Sequence, residues 1–233
     1  YSARGVLEAS KGAKLTMTGG EISGNTAVSE FGTQAIVIVG VSQDALTMTH
    51  ATYTDPGATF EFSGGTIKGN EAQETVFVGE TSAAFSPYYY QYEDTFTNVA
   101  SMTMGGSAAI SGNTAHYIGG GVAVRGPGRL TMDGGTISGN SAPAGGGVAT
   151  LDSFAMGYPD VVLRSDATYG GTSLKDWSET RPAAFTMNGG TISDNKAIST
   201  SGQPVGGGVY VSSNEVYLNA GTISGNTAGT DGD

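Results

Sequence analysis

The 233-residue chain has no cysteine, so a disulfide scaffold is excluded, and so is any site built on thiolates. Proline is scarce at 7 residues, and no Gly-X-Y period runs through the chain, which removes collagen. Charged residues make up 13%, about half the usual ~25%. Basic residues are the rarer sign: 10 Lys and Arg stand against 21 Asp and Glu, a formal net charge of −11. Nucleic acids and anionic membrane surfaces recruit basic patches, so neither is an expected partner. The longest strongly apolar run, Ala35 to Val39, is far short of the ~20 residues of a membrane-spanning helix. No cofactor fingerprint is present. Gly126-Pro127-Gly128 lacks the third glycine and the βαβ surroundings of a dinucleotide loop.

Glycine is abundant instead. It accounts for 39 of 233 residues, which speaks against a helical bundle because each glycine inside a helix costs ~1 kcal/mol relative to alanine. The glycines are placed, not scattered. One phrase recurs six times, with isoleucine anchors at Ile22, Ile67, Ile110, Ile137, Ile192 and Ile223. Its fourth copy reads Leu130-Thr131-Met132-Asp133-Gly134-Gly135-Thr136-Ile137-Ser138-Gly139-Asn140. A second phrase precedes the last three copies: Gly119-Gly120-Gly121-Val122, Gly145-Gly146-Gly147-Val148 and Gly206-Gly207-Gly208-Val209. Ala35 to Val39, Thr75 to Val78, and Gly5-Val6-Leu7 take its place before the others.

Within each phrase apolar and polar residues alternate, as in a strand with one buried face. Glycine pairs and triplets break the strands and supply corners with positive φ. Three short strands and three corners per repeat describe one coil of a right-handed parallel β-helix, an all-β solenoid of about six coils. Stacking puts like on like. The isoleucines form one interior column. Leu15, Phe60, Met102, Leu130, Phe185 and Val216 form a second, and Met17, Phe62, Met104, Met132, Met187 and Leu218 a third. Asn25, Asn70, Asn113, Asn140, Asn195 and Asn226 fall at a corner and are expected to stack as an amide ladder, in backbone that asparagine tolerates in the left-handed region. In-register stacking of charges is repulsive, which accounts for the low charge.

Spacing between anchors varies because three insertions interrupt the coils, near 40–59, 79–100 and 151–184. The second carries Tyr88, Tyr89, Tyr90 and Tyr92; the third carries Tyr158, Arg164, Tyr169, Trp177 and Arg181. Tyrosine and tryptophan give large rigid contact area and dominate binding hot spots, so these residues are the candidate binding set. The competing reading is that they fold back on the flank of the rod. Glu21, Glu61 and Asp133 sit in different coils and columns, unlike the convergent carboxylates of lyases and glycosidases. His50 and His116 are the only histidines, and neither lies in a triad or zinc motif. No catalytic residue or metal site is expected.

The Gly-Gly-Thr-Ile-Ser-Gly-Asn phrase, with the Gly-Gly-Gly-Val-Tyr-Val phrase, resembles repeats of large bacterial surface proteins. These include the right-handed β-helix passenger regions of autotransporter-like adhesins. It is also similar to the repeats of polymorphic outer-membrane proteins, with Ile-x-x-Asn in place of Phe-x-x-Asn. The resemblance implies export, display at the cell surface and an adhesive or scaffold role, with a host protein or glycan as partner. Neither end reads as a cap, so the expectation is a segment of a longer array flanked by further repeats. A carbohydrate-active enzyme of the β-helix class and a passive spacer are the alternatives.

Overall fold

A computed structural model describes residues 4–28, 34–41, 57–80, 100–125, 128–151, 168–169, 172–173, 184–199, 202–212 and 215–230. These residues form a parallel β-helix of six stacked coils, bounded by three sheets. Every pairing is parallel except a short hairpin, Thr168–Tyr169 with Thr172–Ser173.

The first sheet, here the valine sheet, stacks Arg4–Ala9, Gln34–Val41, Glu74–Glu80, Val122–Arg125, Val148–Leu151 and Val209–Val211 in chain order. Each coil then enters the long sheet. In the first two coils it does so as unbroken ten-residue strands, Lys14–Ser23 and Thr59–Lys68. Later coils split the same path into two strands, such as Gly128–Met132 and Thr136–Ser138. The coil closes through a short third sheet, the alanine sheet: Thr26–Ala27, Glu71–Ala72, Thr114–Ala115, Ser141–Ala142, Lys196–Ser199 and Thr227–Thr230.

Three sheets are as expected, but their assignment differs in one respect. The Leu-Thr-Met and Thr-Ile-Ser phrases belong to one sheet, and the third side is the Thr-Ala step after each asparagine. The glycine pair does not turn a corner. Its second member has positive φ, 81° at Gly135 and 84° at Gly190, and it bends the sheet without ending it. The step was missed because two residues are too few to show a period, although Ala27, Ala72, Ala115, Ala142 and Ala197 recur two places after each asparagine and are all buried.

All three interior columns form in the predicted register. Leu15 pairs with Phe60, Phe60 with Met102, Met102 with Leu130, Leu130 with Phe185 and Phe185 with Val216. The isoleucines likewise pair in succession from Ile22 to Ile223. In the middle coils Phe60, Phe62, Met102, Met104, Ile110, Leu130, Met132 and Ile137 are fully buried. Phe60 and Phe62 stack with ring centroids 5.4 Å apart.

Two kinds of glycine hold the corners. At Gly139 (φ 64°) an added Cβ would find nothing closer than 3.9 Å, so only the dihedral demands glycine, and Asp194 takes the same position with φ 57°. The triplets are different. A Cβ on Gly147 would stand 2.5 Å from Gly208 O and 2.8 Å from Ile192 Cγ2, so the successive backbones touch there.

Candidate functional site

The asparagine ladder is complete across the six coils. Each side chain from Asn25 to Asn195 donates through Nδ2 to Oδ1 of the next asparagine, at 2.9–3.0 Å. Each of these residues also donates its backbone N–H to that same oxygen. From Asn70 onward the second Nδ2 hydrogen reaches back to the isoleucine carbonyl of the preceding coil, as from Asn140 to Ile110 O at 3.0 Å. The left-handed residue at this corner is the one before the asparagine, Gly24, Gly69, Gly112, Gly139, Asp194 or Gly225, and not the asparagine as the sequence reading had it. The asparagine stays in ordinary backbone so that its amide points along the stack. The ladder is a structural element.

The valine sheet differs from the other two in being covered on both faces. Val76, Val78, Val122, Val124 and Val148 point into the core, while Ile38, Phe77, Ala123 and Ala149 form an outer column that is also buried. The glycine triplets help to cover it. The chain turns so tightly that a Cβ on Gly119 would lie 2.7 Å from Ala123 Cβ. This turn packs Ile118 and Ala144 into the outer cluster.

Over this outer column lies a buried ion pair. Arg125, one coil beyond Glu74, bonds its Oε1 through Nη2 at 2.7 Å, with side-chain exposures of 6% and 1%. The guanidinium carbon stands 5.6 Å from the Phe77 ring centre and 5.7 Å from that of Tyr117. Burial pushes the Glu74 carboxyl above its ordinary range, and Arg125 opposes that shift. Glu74 Oε2, Thr75 Oγ1 and Thr150 Oγ1 are buried with no hydrogen-bond partner among the described residues. Sequence reading missed the pair because its members flank two apolar phrases 51 positions apart and meet only when coils three and four stack.

Gly40, Gly79, Arg125 and Leu151 stand in one row across successive coils of this sheet. The described strands end at or just after this row, at Val41, Glu80, Arg125 and Leu151. They resume in the long sheet at Thr59, Ala100, Gly128 and Ala184. Three of these four links contain the insertions, so the insertions begin from one row of one sheet, in coils two, three and five. At ~4.8 Å per coil, their starts span about 15 Å along the axis. Of the candidate binding residues, Tyr169 lies in the short hairpin, where only its backbone is described. Tyr88, Tyr89, Tyr90, Tyr92, Tyr158, Arg164, Trp177 and Arg181 lie outside the described residues, as does His50.

Several acids on the repeat strands bind across coils. Glu61 pairs with Lys14 at 2.5 Å and Glu21 with Lys68 at 2.7 Å. The Lys68 hydrogen bond, helped by Ser23, holds the Glu21 carboxyl below its ordinary range. Asp133 accepts from Asn188 at 2.9 Å, and His116 meets Glu71 at 2.7 Å. Among the described residues no group of three His, Asp or Glu side chains is placed to hold a metal, and no helix is long and apolar enough to cross a membrane. Comparison with protein-family models, curated proteins and solved structures finds no match to this chain. Its class therefore rests on its own geometry: a parallel β-helix solenoid with an amide ladder.

Proposed function

We propose that the chain is a non-catalytic, extracellular binding module of the bacterial adhesin type. The solenoid is the rigid support, and the aromatic insertions recognise a host protein or glycan. The observation that carries this reading is the common origin of the insertions in the row Gly40, Gly79, Arg125 and Leu151. Loops held by a rigid scaffold at one flank sum their contacts on a single partner. Their tyrosines and tryptophan suit flat sugar faces and protein hot spots alike.

The test is a glycan-array and protein-binding screen of the intact chain beside a variant with Tyr88, Tyr89, Tyr90 and Trp177 changed to alanine. Binding by the intact chain that falls at least tenfold in the variant supports the reading. Equal binding by both, or cleavage of a polysaccharide by the purified chain, overturns it.

A further inference from the structure

We propose that Asn188 is a self-modification site. Its side-chain amide is converted to a carboxylate by attack of the following backbone nitrogen, and the product breaks an outer link between coils four and five. The proposal is independent of the adhesin reading.

Ten asparagines occur in the chain, and Asn188 is the only one followed by glycine. The reaction needs the main-chain nitrogen of the next residue to reach the amide carbon. Gly189 leaves that approach open, whereas every other asparagine is followed by a residue whose side chain obstructs it. The fold puts this step in an accessible place. Asn188 and Gly189 form the bend between strands Ala184–Met187 and Thr191–Ser193. Gly189 N shares its acceptor, Met132 O, with Asn188 N, at 3.1 and 2.8 Å. The Asn188 amide is held by exposed partners: Nδ2 donates to Asp133 Oδ1 at 2.9 Å, and Oδ1 accepts from Asn219 Nδ2 at 2.8 Å. Water competes for such bonds, so the amide carbon is free to turn toward Gly189 N. The interior ladder is the contrast. Asn113, Asn140 and Asn195 are buried, with their amides bonded to the neighbouring coils.

The step consumes one water and releases one ammonia, with no oxidant or reductant. Gly189 N gives its proton to solvent base and attacks Asn188 Cγ. The Cγ–Nδ2 bond breaks, ammonia leaves and a five-membered imide closes. Water then opens the imide at one of its two carbonyls. One opening gives aspartate. The other gives isoaspartate, in which the main chain runs through the former side chain and gains a methylene.

Either product undoes the link to coil four. An ionised carboxylate has no hydrogen to donate, so two carboxylates face each other where the bond to Asp133 stood, and like charges on facing strands repel. Isoaspartate adds a second loss. Its extra methylene lies between the two N–H groups that share Met132 O, so they no longer fit one acceptor.

Incubation of the intact chain at mildly alkaline pH, followed by peptide mapping with mass spectrometry, tests this. Conversion at Asn188 at least tenfold faster than at any other asparagine is expected, with the melting temperature falling in step. Asn188→Ser introduces the residue that coil two carries at this place, Ser63, and abolishes both changes. Asn188→Asp lowers the melting temperature without incubation. Adding Asp133→Asn restores it, because donor and acceptor are then exchanged between the two coils. Conversion at Asn188 within tenfold of the other asparagines overturns the proposal. So does an Asn188→Ser chain that loses stability on incubation as the unaltered chain does, or an Asn188→Asp loss that Asp133→Asn does not repair.

Discussion

Asn140 donates to Asn195 across 3.0 Å, although 55 positions of sequence separate them. The Asn140 Oδ1 in turn accepts both the side-chain and the backbone N–H of Asn113. Removing this side chain leaves buried donors and acceptors on two neighbouring coils. Asn140→Ala is expected to destabilise by at least about 3 kcal/mol, while Asn25→Ala, at the end of the ladder, costs about 1 kcal/mol. Urea denaturation of the two variants measures the difference. Equal losses would mean that the ladder is not the cooperative element described here.

The two kinds of corner glycine predict different penalties. Gly139→Ala forces an L-residue into left-handed backbone without a clash, for about 1–2 kcal/mol. Gly139→Asp costs less than Gly139→Ala, because Asp194 occupies the equivalent corner. Gly147→Ala drives a methyl into Gly208 O and Ile192, and is expected to cost about 3 kcal/mol or more. Melting temperatures should fall in the order Gly139→Asp, Gly139→Ala, Gly147→Ala.

Thr150 lies between Val124 and Val211 in an interior column, and its hydroxyl is buried without a partner among the described residues. Thr150→Val keeps the shape and removes the orphaned oxygen, so it is expected to stabilise by about 1 kcal/mol. A lower melting temperature for this variant would show that the hydroxyl is satisfied in solution.

The Glu74–Arg125 pair has an asymmetric energetics. Arg125→Met leaves an acid buried alone and should cost about 3–5 kcal/mol, whereas changing both residues to methionine should be close to neutral. The pair also sets a pH dependence. The Glu74 carboxyl has its pKa raised on folding above 4.5, so the folded chain holds a proton that the unfolded chain releases first. Its contribution is therefore fully present below pH 4.5 and is lost as pH rises toward the folded value. Glu21 runs the other way. Its pKa is lowered by Lys68, so its contribution is present above 4.5 and is lost as pH falls. Chemical denaturation of Glu74→Gln and Glu21→Gln against the unaltered chain, from pH 3 to 8, should give difference curves of opposite slope.

The sequence was legible wherever stacking repeats a residue. Ile137 could be placed against Ile110 and Ile192 without a structure, because coils of one pattern leave a single register that buries all three. The Thr131 and Thr186 column could be set outward for the same reason. The Thr-Ala side was harder: a two-residue strand between a corner and a loop carries no alternation. The Glu74–Arg125 pair was not legible at all. Each residue occurs once in its column, and nothing local says that Arg125 turns back over Phe77 to meet an acid in the coil before it. The common origin of the insertions was hidden too, because position along the chain does not say which side of a coil a loop leaves from.

The coils also differ in how far the chain must travel to make them. Asn113 and Asn140 are 27 positions apart, the shortest step in the ladder, whereas Asn140 and Asn195 are 55 apart. Bringing two points of an unfolded chain together grows costlier by about 0.6 kcal/mol for each doubling of the intervening length. Coils three and four are thus the cheapest pair to assemble, closely followed by coils five and six, whose asparagines are 31 positions apart. Folding kinetics would register this as higher φ-values at Ile110 and Ile137 than at Ile22, whose coil is joined through a 45-position step. By that account folding begins at the shortest step of the ladder, and the steps that an insertion lengthens close afterwards.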